Sequence, residues 1–207
     1  AFQQGLIQQP LNPNAERVSN FVQTCIEKTA IETIYEIGRN GGYFFPPNLS
    51  TDSGVPYYFY NGQNYMPSKE QVQEEISFFM NEKLFFCTRN FVGFPDLEIN
   101  QSEIKTSTII EDEKIILNVN YPITIIKDED KTLIEDFKVE IPIKLGIIYD
   151  SVSEFTLQQI ETESEGICLS CLLEISGNND LYVDMMDYDE QTTIFLFRDE
   201  NSKINDE

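Results

Sequence analysis

The chain of 207 residues carries 14 Lys and Arg against 36 Asp and Glu, a formal charge of −22, and contains neither His nor Trp. The missing His removes Ser-His-Asp and Cys-His nucleophile pairs, His metal ligands and any imidazole pH switch. The acidity, with no Lys/Arg stripe, argues against nucleic acid and anionic membrane surfaces as partners.

Charged residues at 24% and aromatics at 12% describe a folded chain of one domain. No apolar window of 18 residues and no signal-peptide core occurs in it. The first 14 residues, AFQQGLIQQPLNPN, are uncharged and rich in Gln, Asn and Pro, which predicts a flexible tether. Residues 15–207 are then a single α+β domain, helical over 15–96 and sheet-rich over 97–207.

From Ala15 the apolar residues Val18, Phe21, Val22, Cys25, Ile26, Ala30, Ile34 and Ile37 recur at helical spacing, and Gly41-Gly42 supplies the stop. Residues 43–65 hold eight aromatics in 23 positions, with Pro46, Pro47 and Pro56 forbidding a helix. Tyr57-Tyr58-Phe59-Tyr60, Asn61-Gly62 and Gln63-Asn64-Tyr65-Met66 predict a hairpin on a type I′ turn. A second helix starts at Ser68, which with Gln71 fits a capping box. Its buried stripe is Val72, Ile76, Phe79, Met80, Leu84 and Cys87.

Beyond residue 97 the period becomes two. Residues 104–110, 114–127 and 131–145 read as antiparallel strands joined by the acidic turns Glu111-Asp112-Glu113 and Asp128-Glu129-Asp130. Pro122 and Pro142 favour bulges or edges. A third helix over 147–165, a short one over 168–176 stopped at Gly177, and a hairpin of 181–186 with 192–198 complete the pattern. The sum is α+β, an antiparallel sheet of hairpins packed against N-terminal and central helices. Acidity is uneven: residues 1–100 have 6 basic and 11 acidic side chains (6 − 11 = −5), and residues 101–207 have 8 and 25 (8 − 25 = −17).

Cys25 and Cys87 lie on the apolar faces of the first two helices, so a bridge between them staples both. Cys168 and Cys171 stand one helical turn apart. Of the three pairings four cysteines allow, 25–87 with 168–171 is favoured. Two rivals remain: a reduced Cys-x-x-Cys redox pair, which lacks a preceding βα unit, and a four-Cys zinc site, which lacks a second close pair. Asn48-Leu49-Ser50 and Asn100-Gln101-Ser102 are glycosylation sequons. With an even cysteine count they point outside the cytoplasm.

Asp52-Ser53-Gly54 matches the Asp-Ser/Thr-Gly signature of aspartic proteases but follows no apolar strand, so it reads as a turn. Ser102 and Lys105 have Ser-x-x-Lys spacing in a strand that points them to opposite faces. The acidic turns, with Asp187, Asp189 and Glu190, read as solvated hairpin tips, and hold Ca²⁺ only if two tips meet. The surface candidate is the aromatic loop, with Tyr57, Tyr58, Tyr60 and Tyr65 as binding residues, Tyr58 and Tyr60 facing away from Tyr57 and Phe59. Its bland reading is a cover over the first two helices.

The segments Val22-Gln23-Thr24-Cys25-Ile26-Glu27-Lys28-Thr29-Ala30, Gly41-Gly42-Tyr43, Val55-Pro56-Tyr57-Tyr58, Met66-Pro67-Ser68 and Cys168-Leu169-Ser170-Cys171-Leu172-Leu173 resemble an uncharacterised family of single-pass, membrane-anchored surface proteins of DPANN archaea. The resemblance implies an anchor helix upstream of Ala1, an outward-facing domain and Cys at these four positions, and no activity. The expected function is a non-enzymatic surface module for adhesion or filament assembly, with itself or another cell's surface as partner, and no catalytic residue, cofactor or metal. The rival is a carboxylate-based hydrolase or a Ca²⁺-dependent carbohydrate-binding accessory domain.

Overall fold

The structure, a computed structural model, describes residues 12–161 and 166–199. Helix α1 spans Pro13–Arg39, beginning two residues before the expected Ala15 because Asn12 is a good cap. Its side chain accepts from the Ala15 N–H at 2.8 Å, and Pro13 fills the first turn, where its missing N–H costs nothing. The rest of the predicted tether, residues 1–11, lies outside the described residues. After a short hairpin, β1 (Phe59–Tyr60) with β2 (Gln63–Asn64), comes α2 (Lys69–Thr88), capped by Ser68, whose Oγ accepts from the Gln71 N–H.

The sheet holds β3 (Glu98–Gln101), β4 (Lys105–Ile110), β5 (Ile115–Lys127) and β6 (Asp130–Ile141), all antiparallel. β4 pairs with Ile115–Asn120 of β5 and β3 with Ile123–Ile126 of the same strand, while β6 takes the other edge. The first two are therefore one edge strand interrupted at residues 102–104. The β5–β6 register shifts between Asn120 and Ile123, bracketing Pro122, which has no N–H to give a ladder. The Pro122 carbonyl instead accepts from the Ser102 N–H at 2.9 Å. β3 escapes a period-two reading because four residues, three of them polar, carry too short a pattern.

α1 and α2 pack side by side on one face of this sheet, α1 over β6 and α2 over β4. The stretches 15–96 and 97–207 are thus not separate packing units. Val22, Ile26, Ile76, Met80, Leu84, Ile115, Leu117 and Ile123 share one core, and the sheet's far face is wet at Lys138 and Glu140. Both favoured cystines form. Cys25–Cys87 joins the helices (Cα–Cα 5.6 Å) and Cys168–Cys171 closes locally (5.3 Å), with no free cysteine. Two disulfides indicate an oxidising, extracellular-type environment.

The strand predicted over 131–145 ends at Ile141, because Leu145 and Gly146 open α3 (Leu145–Glu161). Residues 162–165, predicted to extend it, lie outside the described residues. α4 (Leu169–Asn179) runs through Gly177 and stops instead at Asp180, which takes the left-handed cap with φ 52°. With β7 (Leu181–Asp187) and β8 (Thr193–Asp199), these helices enclose a smaller core of Phe155, Leu172 and Ile175, flanked by Val183, Phe195 and Phe197.

Gln73, Ser77 and Asn81 of α2 run along the free edge of β4. The Ile110 N–H donates to Gln73 Oε1 (2.8 Å) and the Thr106 N–H to Asn81 Oδ1 (2.9 Å), and Ser77 and Thr108 share a hydroxyl bond (2.8 Å). The match is geometric: four helical residues rise about 6 Å and two strand residues about 6.6 Å. The helix thereby closes an edge that otherwise templates aggregation. Asn81→Ala is expected to cost about 1–2 kcal/mol by orphaning the Thr106 N–H, read as a lower denaturation midpoint. An unchanged midpoint means that water replaces the amide.

Candidate functional site

The aromatic loop is built on the end of α1. Gly41 and Gly42 adopt φ of 58° and 83°, and a Cβ on Gly41 would meet Pro56 Cγ at 2.6 Å, so the close approach of this loop needs glycine there. Tyr58 fills the space beside it. Its hydroxyl donates to the Gly41 carbonyl at 2.8 Å, and burial pushes that hydroxyl well above the usual tyrosine range. The Tyr58 hydroxyl is therefore a tie within the fold, and its ring is half-buried.

Each hairpin strand has only two residues, with Asn61 and Gly62 left-handed as a type I′ turn requires. The expected alternation does not extend back to Tyr57: its ring lies 5.5 Å from that of Tyr60. The Tyr57 hydroxyl is 3.5 Å from Thr192 Oγ1, which reaches the β7–β8 turn. Of the four tyrosines singled out, Tyr60 and Tyr65 are exposed. The Tyr65 hydroxyl donates to Gln63 Oε1.

The larger aromatic surface lies elsewhere, on the outward face of α2. Phe78, Phe85 and Phe86 fall off the buried stripe, and all three are exposed, Phe86 at 66%. Phe44 gathers the rings of Phe45, Phe78 and Phe79 around it at 4.2, 5.5 and 4.7 Å, while Phe45 stays 71% exposed. Glu75 accepts the Phe44 N–H at 2.9 Å, fixing the loop to the helix. Phe44, Phe45, Gln71, Glu74, Glu75 and Phe78 line much of an open groove of about 610 Å³. It offers apolar rings edged by carboxylates and no lining cation. Such a surface can seat an apolar side chain while favouring positive charge. The readable signal was the three phenylalanines outside the predicted stripe.

Both sequon asparagines, Asn48 and Asn100, are exposed, Asn100 on β3 with its amide donating to Glu98 at 3.3 Å. Asp52-Ser53-Gly54 forms a turn, with Gly54 at φ 87° and its N–H donating to the Thr51 carbonyl. Among the described residues, no three acidic or Cys side chains converge as metal ligands. No described helix is long and apolar enough to cross a membrane.

Several carboxylates are tied locally. Lys138 and Lys114 hold the Glu140 carboxyl down to about 2. The Asp96 carboxyl is lowered by its own backbone N–H, then by Lys127 and Arg17, and that of Asp189 by the Gln191 N–H. A depressed folded pKa gives stability present above the unfolded value near 4 and lost as pH falls through the folded one. The repulsion of 25 acidic against 8 basic side chains over 101–207 acts on the other side of that window. The melting temperature at low salt is expected to rise from pH 7 to about 4.5 as this repulsion is relieved, then to fall below about pH 4. Salt at pH 7 reproduces the rise by screening. A steady fall from pH 7, unresponsive to salt, means that the paired carboxylates dominate throughout.

No family model, no curated protein and no solved structure matches the chain.

Proposed function

We propose that the chain is a non-enzymatic recognition and assembly module displayed at a cell surface, binding copies of itself or a component of another cell's surface. One observation carries this reading: a disulfide-stapled scaffold holds a band of exposed phenylalanines, Phe45, Phe78, Phe85 and Phe86. Exposed large rings grouped on one helix face mark interaction surfaces, because each stands to bury area on docking. The resemblance to anchored surface proteins supports outward display, and the exposed sequons support an extracellular setting.

Phe78→Ser with Phe86→Ser tests the reading against Tyr60→Ser with Tyr65→Ser. Self-association is measured by analytical ultracentrifugation, adhesion by capture of whole cells on the immobilised protein. The phenylalanine pair is expected to weaken one of these at least about tenfold, the yield of about 1.4 kcal/mol, with an unchanged melting temperature. The tyrosine pair is expected to have the smaller effect. If the wild-type protein neither self-associates nor captures cells, or if the phenylalanine variant does both equally well, the proposal fails.

A further inference from the structure

The two cystines differ in what they hold. Cys25 is only 3% exposed, and its bridge joins α1 to α2 across a separation of 62 residues. Cys168–Cys171 spans a separation of 3 at the first turn of α4, where both residues are half-buried. The helix already holds that turn, since the Leu172 N–H donates to the Cys168 carbonyl at 3.1 Å. Opening this second bridge leaves the backbone tied.

Cys168 is the N-cap of α4. Its Sγ accepts from the Cys171 N–H at 3.3 Å and lies 3.6 Å from Ser170 Oγ. Gln159 fixes the approach from α3, accepting the Cys168 N–H at 3.2 Å and donating to the Gly166 carbonyl at 2.8 Å. A thiolate at Cys168 therefore finds a backbone donor, a hydroxyl and the positive end of an eleven-residue helix. These make it a good leaving group.

Beside the cystine stand three exposed aliphatic side chains, Ile167, Leu169 and Leu173, the last 72% exposed. Leu169 and Leu173 are four residues apart and share one face of α4. Solvation of the sulfurs needs none of them. They offer apolar contact to a polypeptide that carries Leu or Phe beside its cysteines.

We propose that Cys168–Cys171 is a thiol–disulfide exchange site for cysteine-bearing polypeptides, distinct from the α2 surface and independent of its role. A thiolate of the incoming chain attacks Cys171 Sγ, the Sγ–Sγ bond breaks, and its electron pair departs on Cys168 as thiolate. A second thiolate of the incoming chain then attacks that chain's own sulfur in the mixed disulfide and releases Cys171. The polypeptide dithiol gives up two electrons and two protons, and Cys168 and Cys171 take them. The reaction occurs once per chain, as expected of a stoichiometric oxidant rather than a turnover enzyme. Among the described residues, α4 is preceded by α3 and residues 166–168 and not by a strand as in a thioredoxin-type turn.

The test treats the native, oxidised protein with dithiothreitol, or with a reduced peptide bearing two cysteines among Leu and Phe residues. Thiols are then trapped by alkylation and each bridge is quantified by mass spectrometry. Cys168–Cys171 is expected to open at least about tenfold faster than Cys25–Cys87 with either reagent. Leu169→Glu with Leu173→Glu, both on the surface, is expected to slow the peptide about fivefold and leave dithiothreitol within about twofold. Equal opening of the two bridges overturns the proposal, and so does a variant that slows neither reagent or both alike.

Discussion

Replacing Cys25 and Cys87 together by Ala is expected to remove about 4 kcal/mol of stability and lower the melting temperature by about 10 °C. The bridge spans a separation of 62 residues, so most of its effect is on the unfolded chain, whose loop-closure entropy it removes in advance. The same estimate gives only about 2 kcal/mol for Cys168–Cys171, closed over a separation of 3. Against a total of about 5–15 kcal/mol for a domain, the first loss threatens folding and the second does not. Urea unfolding of the two double variants, each compared with the oxidised parent, provides the measurement. A loss below about 1 kcal/mol for the Cys25 and Cys87 variant would mean that packing alone, including the Thr33 hydroxyl on Met80 Sδ at 3.4 Å, holds the helices together.

Gly146→Ala is expected to destabilise although it places a better helix former in α3. A Cβ there would lie 2.4 Å from the Glu111 carbonyl oxygen, 2.7 Å from its carbon and 2.8 Å from Asp112 Cα. All three are backbone atoms, and no rotamer moves them aside. The Ile147 N–H also donates to the Asp112 carbonyl at 3.3 Å, so relieving the clash pulls the 111–113 loop off the start of α3. Overpacking of this kind costs about 1–3 kcal/mol or more, against a propensity gain of about 1 kcal/mol. Gly177→Ala is the counterpart: it sits inside α4 with nothing within 4 Å of the added Cβ, and is expected to stabilise by about 1 kcal/mol. Thermal unfolding of the pair should therefore shift in opposite directions. Two shifts of the same sign would mean that the loop relocates without cost.

The local elements were legible because each carries its own signal along a short stretch of chain. The helical recurrence from Val18 to Ile37, the Ser68 cap, the Asn61-Gly62 turn and the alternation of Phe137, Val139 and Ile141 are all decided within a few residues. So was the pairing of the cysteines, since two of them sat on apolar helix faces and two lay one turn apart. The left-handed turn at Arg89, Asn90 and Phe91, with φ of 45°, 51° and 56°, was not legible. None of these residues is glycine, and the local cost is offset by burying Phe91 against Phe21 and Phe94.

The candidate surface divides the same way. The sequence by itself determined that eight aromatics crowd residues 43–65, that the chain lacks His, and that its acidity concentrates after residue 100. Only the tertiary structure decided which rings face outward. Tyr58 turned inward because the Gly41 carbonyl needed a donor. Phe78, Phe85 and Phe86 stayed outside because the buried stripe of α2 was already filled by Val72, Ile76, Phe79, Met80 and Leu84 against α1 and β4. Periodicity is a property of neighbours in the chain, whereas exposure depends on which distant elements arrive to cover a face, and that is settled only when they pack.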